Sequence, residues 1–167
     1  MEDACTIIPH ACLYLGANLA TSQYTAVLQQ IQQAADFALW VAVPQCAFDS
    51  CAVPGTLKRG IERVTDKLTK LGVQASVRFY GGHSLGGAMM PDYVNTYDPA
   101  AQGMVLMGSF LTHKCKTGTT AEGAPQVVFP VPTLTIGGEL DGLCRVTRIA
   151  EAHYSQIDMA ADPQNAA

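Results

Sequence analysis

The residues of this chain with the plainest capacity for chemistry are Gly82-His83-Ser84-Leu85-Gly86, a Gly-x-Ser-x-Gly segment. It stands where an apolar run, Ala75–Tyr80, gives way to a helical pattern. A serine hydroxyl held at such a junction is presented for attack on a carbonyl carbon. The turn must be very sharp and strained at Ser84, and glycines around it remove Cβ atoms that would collide with the flanking strand and helix. The helix that follows offers unpaired N–H groups and a positive dipole end to a developing oxyanion. The Leu85 N–H, next after the serine, is the first expected donor. The second is expected in the turn Gly16-Ala17-Asn18 after the first strand, with the Ala17 N–H as first choice. A carboxylate to orient a base is offered by Gly138-Glu139-Leu140-Asp141-Gly142. Asp141 is preferred there over Glu139, because it follows a strand, sits deeper in the turn and precedes Gly142.

The elements that must hold these residues are readable from hydrophobic spacing. Apolar runs at 11–15, 37–43, 75–80, 103–108 and 131–137 predict five strands. Between them, Tyr24, Val27, Leu28 and Ile31 recur at helical spacing. Leu57, Ile61, Val64, Leu68 and Leu71 form one face of a helix over 56–71 that Gly72 ends. A helix follows Ser84 to about Val94, bent near Pro91, and another spans about 144–157. Residues 44–55 and 111–129 read as loops. Strands alternating with helices along the whole length predict a parallel sheet covered on both faces, in one domain spanning 1–167.

The composition, 49% hydrophobic and 14% charged, is that of a folded globular chain. A net charge of −4 argues against nucleic acid as a partner, since phosphate binding requires a basic face. No run reaches the ~18–20 apolar residues of a membrane span. The acidic start, Met1-Glu2-Asp3, is unlike a secretory leader, so a cytoplasmic or other reducing compartment is expected. On that footing the six cysteines (5, 12, 46, 51, 115, 144) read as free thiols, and no metal site is expected of Cys5, His10 and Cys12. Met89, Met90 and Phe110 are read as core in preference to an acyl pocket.

Taken together, Gly81–Met89, Leu15-Gly16-Ala17-Asn18 with Tyr24 downstream, and Gly138–Gly142 resemble the α/β-hydrolase superfamily, especially its small, lidless members like dienelactone hydrolases and carboxylesterases. The resemblance implies a three-layer sandwich with a mostly parallel central sheet, incomplete here at both ends. It implies an acyl-enzyme at Ser84, Asp141 as the acid, Leu85 and Ala17 at the oxyanion hole, a small-molecule ester as substrate, and no cofactor. In that family the histidine base follows a further strand after the acid. Here Asp141 is followed by His153 alone, on the apolar side of a helix, where it reads as a packing residue. His83 diverges from its neighbour Ser84, His10 lies at the wrong sheet edge, and His113 is a weak candidate at the right one. The expectation is therefore a truncated copy of a longer active enzyme, with the strand at 131–137 left as an open edge. The alternatives are a non-catalytic binding domain on the same fold, and an enzyme whose base is His113.

Overall fold

A computed structural model of the chain describes residues 10–14, 20–46, 55–73, 75, 77–112, 118–119, 125–126, 129 and 131–161; at 10–14, 118–119, 125–126 and 154–161 it describes the backbone path alone. Strand β1 (His10–Tyr14) leads, by way of a 3-10 turn at Thr21–Tyr24, to helix α1 (Thr25–Ala34) and strand β2 (Trp40–Ala42). Helix α2 (Thr56–Lys70), strand β3 (Arg78–His83), helix α3 (Leu85–Tyr97) and strand β4 (Gly103–Met107) follow. A two-residue antiparallel pair, β5 (Gly118–Thr119) with β6 (Pro125–Gln126), precedes strand β7 (Thr133–Ile136) and helix α4 (Val146–Ala161).

The main sheet has the order β2-β1-β3-β4-β7 with every neighbouring pair parallel. Five strands were expected and five form it. The third is displaced toward the motif: Gly81, Gly82 and His83 stay in the ladder, opposite Val105, Leu106 and Met107. The strand runs three residues past its expected end at Tyr80, and the reversal into the helix is made at Ser84.

Parallel partners share a face, which sorts the layers. Tyr80, Met104 and Leu106 pack with Met90 and Val94 of α3 and with Leu57 and Ile61 of α2 in the main core. Thr133 and Thr135 lie in register with Met104 and Leu106. Two residues on, a Cβ on Gly137 would lie 2.6 Å from Ile149 Cδ1 of α4, so α4 covers this same face. On the other face Tyr24 of the 3-10 turn and Leu28 of α1 meet Val41, Val43 and Met107. The result is the three-layer arrangement expected of the sequence. Val27 and Ile31, expected on the inner face of α1, are exposed; the buried ridge is the Tyr24–Leu28 pair one turn apart. Met90 is wholly buried and Met89 packs on the same core, as expected.

Helix α2 ends on Gly72 at φ 79°, with the Val73 N–H reaching back to the Leu68 carbonyl. The foot of β3 is pinned to the end of α3. Arg78 donates through Nε and Nη2 to the two oxygens of Asp98 at 2.6 and 2.7 Å, and the Tyr80 hydroxyl donates to the same carboxylate at 2.7 Å. That carboxylate raises the Arg78 pKa further above its already high value. Cys144 is a buried free thiol. Cys46 corrects the free-thiol expectation: it is disulfide-bonded. It is buried under α2, its Sγ 3.9 Å from where a Cβ on Gly60 would stand. Side chains of the other four cysteines lie outside the description.

Candidate active site

The sheet order places β1 between β2 and β3, while α1 and α2 leave toward opposite faces. This is the point at which an open parallel sheet forms a crevice beyond the carboxyl ends of its strands. Ser84 stands at the carboxyl end of β3, beside that switch point.

Ser84 has φ 51° and ψ −125°, the one positive φ outside glycine among the described residues. Such a conformation costs a non-glycine residue about 1–3 kcal/mol and persists only where its surroundings enforce it. The enforcement is visible. Its N–H completes the ladder to the Met107 carbonyl at 2.9 Å, and its carbonyl already accepts from the Ala88 N–H at 3.1 Å. The residue belongs to strand on one side and helix on the other. A Cβ on Gly82 would meet the Gly87 Cα at 2.5 Å. A Cβ on Gly87 would meet the Ser109 Cβ at 2.6 Å and the Gly82 carbonyl oxygen at 2.9 Å. The helix thus lies directly on the strand, and Gly87 closes the contact with Gly82. Leu85 opens α3, where a helix leaves its first N–H groups without intrahelical partners. The Ala17 position lies outside the described residues.

Next along the sheet edge, Gly108 follows β4 at φ 53° and donates its N–H to the Ile136 carbonyl at 2.9 Å. It is level with Ser84, and the space above it holds two functional groups. A Cβ on Gly108 would stand 3.2 Å from Asp141 Oδ2 and 3.8 Å from His83 Nε2. Asp141 therefore reaches back from the end of β7 across β4, to about one strand spacing (~5 Å) from the serine's strand. Its other oxygen, Oδ1, accepts from the N–H groups of Leu143 at 2.9 Å and Cys144 at 2.8 Å. Those two bonds, helped by the nearby His83 ring, hold its pKa below the ordinary aspartate value. The neighbouring Cys144 thiol is pushed up by burial and by the Asp141 charge. Glu139 is exposed on the same turn.

The histidines fall as follows. His83 turns away from the serine toward α1, where Nδ1 lies 2.8 Å from the Tyr24 hydroxyl and the rings meet edge to face. His153 lies on α4 one turn beyond Ile149, which marks the sheet edge at Gly137, and so ~6 Å further from it. It lines a groove with Phe110 and Thr133. His113 and the side chain of His10 lie outside the description. The contact of His83 with Tyr24 escapes sequence reasoning. Among the described residues no cluster of histidine, cysteine and carboxylate side chains could hold a metal ion. No described helix is long and apolar enough to cross a membrane.

The order of strands, the sharp turn at Ser84 after the third of them and Asp141 after the last form a familiar architecture. This chain has the α/β-hydrolase fold. Est1E from Butyrivibrio proteoclasticus superposes on it with a TM-score of 0.57 at 11% identity, over 92% of this chain and 76% of the esterase. A thermostable esterase does so with a TM-score of 0.60 at 14% identity, over 96% of this chain and 45% of that one. A cutinase-like protein from Cryptococcus sp. gives a TM-score of 0.53 at 14% identity, over 97% of this chain and 93% of its own length. No protein-family model matches the sequence, and no curated protein matches it. The chain is thus similar in fold to ester-cleaving enzymes while sharing little of their sequence.

Proposed function

We propose that the chain is a serine hydrolase domain acting on carboxylic esters of modest size, with Ser84 as the nucleophile. The observation that carries this reading is the Ser84 backbone, strained and enforced by Gly82 and Gly87 beside the switch point. Strain of this kind has an evident use where a hydroxyl must stand clear of strand and helix. In this reading Ser84 Oγ bonds to the ester carbonyl carbon, and its proton passes to a histidine. The oxyanion is met by the N–H groups of Leu85 and Ala17. The carbonyl re-forms with loss of the alcohol, which takes the proton back, and water then releases the acid. Asp141, ionised at neutral pH, orients the base.

The base itself comes, in this proposal, from chain beyond Ala167, as in a longer copy of the enzyme. The face that such chain would cover is open: Leu134 and Ile136 of β7 are 58% and 48% exposed. His113 is the candidate within the chain. The second reading, a binding domain without turnover, draws on the placement of His83 and His153, neither of which faces the serine.

The test is a fluorophosphonate probe followed by mass spectrometry of the adduct. Labelling at Ser84, abolished in Ser84→Ala and slowed in Asp141→Asn, supports the hydrolase. Absence of a Ser84 adduct after prolonged exposure, in a form of the protein that also carries the histidine loop, sinks it in favour of the binding domain.

A further inference from the structure

Ser84 is gripped from both faces of the sheet, and its contact with α3 is only half of the grip. Parallel register sends Gly82 and Leu106 to the α3 face, and His83 and Met107 to the α1 face. On the first face α3 lies directly on the strand, at Gly82 and Gly87. On the second, the Tyr24 hydroxyl stands 2.8 Å from His83 Nδ1, and the two rings meet edge to face with centroids 5.9 Å apart. Tyr24 is itself anchored, because it is buried and forms with Leu28 the cluster on which Val41, Val43 and Met107 pack. Met107 is also the residue whose carbonyl accepts the Ser84 N–H, at 2.9 Å. The side chain before Ser84 and the strand residue that holds its backbone therefore share one neighbouring cluster.

These contacts bear on the strain at Ser84. A serine at φ 51° lowers its energy by moving toward ordinary backbone angles. Helix α3 is fixed behind it, so relief has to come from movement of the strand end, and His83 is that end. Any such movement draws the imidazole off the Tyr24 hydroxyl. The bond opposing it forms in either imidazole tautomer, since a hydroxyl both donates and accepts.

We propose that Tyr24 and His83 are positioning residues for Ser84: their hydrogen bond clamps the end of β3 from the α1 face and keeps the serine in its strained conformation. The clamp rests on the hydrolase reading for its purpose, a hydroxyl held out for attack, and on geometry alone for its existence. It gives the histidine beside Ser84 a role that requires no proton transfer to or from an ester. It also makes the turn leading into α1 part of the framework of the site.

The clamp and the hydrolase reading fail separately. On the full chain, the Ser84 carbon-13 shifts and its amide-to-Hα coupling report its backbone angle. Tyr24→Phe, which keeps the ring and removes the hydroxyl, should move those signals toward ordinary backbone values or split them between two states. His83→Leu should do the same, whereas His83→Asn, whose amide reaches the place of Nδ1, should keep the native signals. Urea midpoints establish that each variant is folded, and the His83 pair carries the comparison if Tyr24→Phe does not fold. Unchanged Ser84 signals in folded Tyr24→Phe, or no difference between His83→Asn and His83→Leu, overturn the clamp. In a form that also carries the histidine loop, Tyr24→Phe should slow fluorophosphonate labelling of Ser84 about five- to tenfold, the scale of one lost hydrogen bond. A change of less than about twofold, with the Ser84 signals moved, overturns the positioning role. Moved signals with no Ser84 adduct in the unsubstituted form leave the clamp standing and overturn the hydrolase.

Discussion

Ser84 couples stability and chemistry in opposite directions. Its φ of 51° is a conformation glycine adopts freely and serine does not. Ser84→Gly should therefore be more stable than Ser84→Ala by about 1 kcal/mol, while both lose all labelling. Urea unfolding of the two variants, side by side, checks this; equal midpoints would mean the backbone is not strained. Asp141 makes a second prediction at this scale. Its folded pKa is lowered by the N–H groups of Cys144 and Leu143 and by His83, so its carbon-13 titration midpoint should fall below the ordinary value of 3.8. The sign follows from linkage. A depressed carboxylate stabilises the fold above the unfolded-state pKa, and that contribution is lost as pH falls through the folded value. The turn after β7 should thus keep its form into mild acid and loosen only below the usual aspartate range.

Elements decide whether those residues meet. The strand-to-helix reversal depends on backbone contact at Gly82 and Gly87, where neighbouring atoms would stand at 2.5 and 2.6 Å from an added Cβ. Gly87→Ala should cost about 3 kcal/mol or prevent folding, because Ser109 and the Gly82 carbonyl must both move. Thermal unfolding with a Gly72→Ala comparison would check it: that site is open, with only its φ of 79° opposing a side chain. Here sequence reasoning located the elements well and their edges less well. Apolar runs revealed all five parallel strands, since strands buried on both faces read as continuous hydrophobic stretches. The end of β3 was misplaced because Gly81, Gly82 and His83 have turn-like composition but ladder-like surroundings. Local propensity carries no record of a strand that must be bare of side chains to receive a helix. Ser84 and Asp141 could be singled out as candidates because motif and chain order survive without the fold, and the structure brings them to neighbouring strand ends. The Tyr24–His83 contact could not be, since it joins residues 59 positions apart across the sheet.

Over the whole molecule the two faces of the sheet are unequally covered. Helices α2, α3 and α4 shield one face and α1 the other, and Leu134, Ile136 and Val146 beside the acid turn stay open, with Leu140 and Leu143 about 95% exposed. Burial should govern the cost of substitution accordingly. Leu106→Ala, at a fully buried position, should lose about 3 kcal/mol, whereas Leu134→Ala should change stability by less than about 1 kcal/mol. Chemical denaturation of both variants decides the point, and a large cost at Leu134 would mean that face is covered in solution.

The sheet order gives Ser84 and Asp141 unequal mechanical footing. Strand β3 is hydrogen-bonded on both flanks, to β1 and β4, while β7 pairs with β4 alone among the described strands. Amide exchange should follow that difference: Arg78–His83 should exchange only with global unfolding, and Thr133–Ile136 earlier, by local opening. A little denaturant or warmth would then carry Asp141 away from an elbow that is still intact. On the proposed hydrolase reading such a molecule would retain its serine but lose the group that aims the base, so heat inactivation would precede unfolding and reverse on cooling.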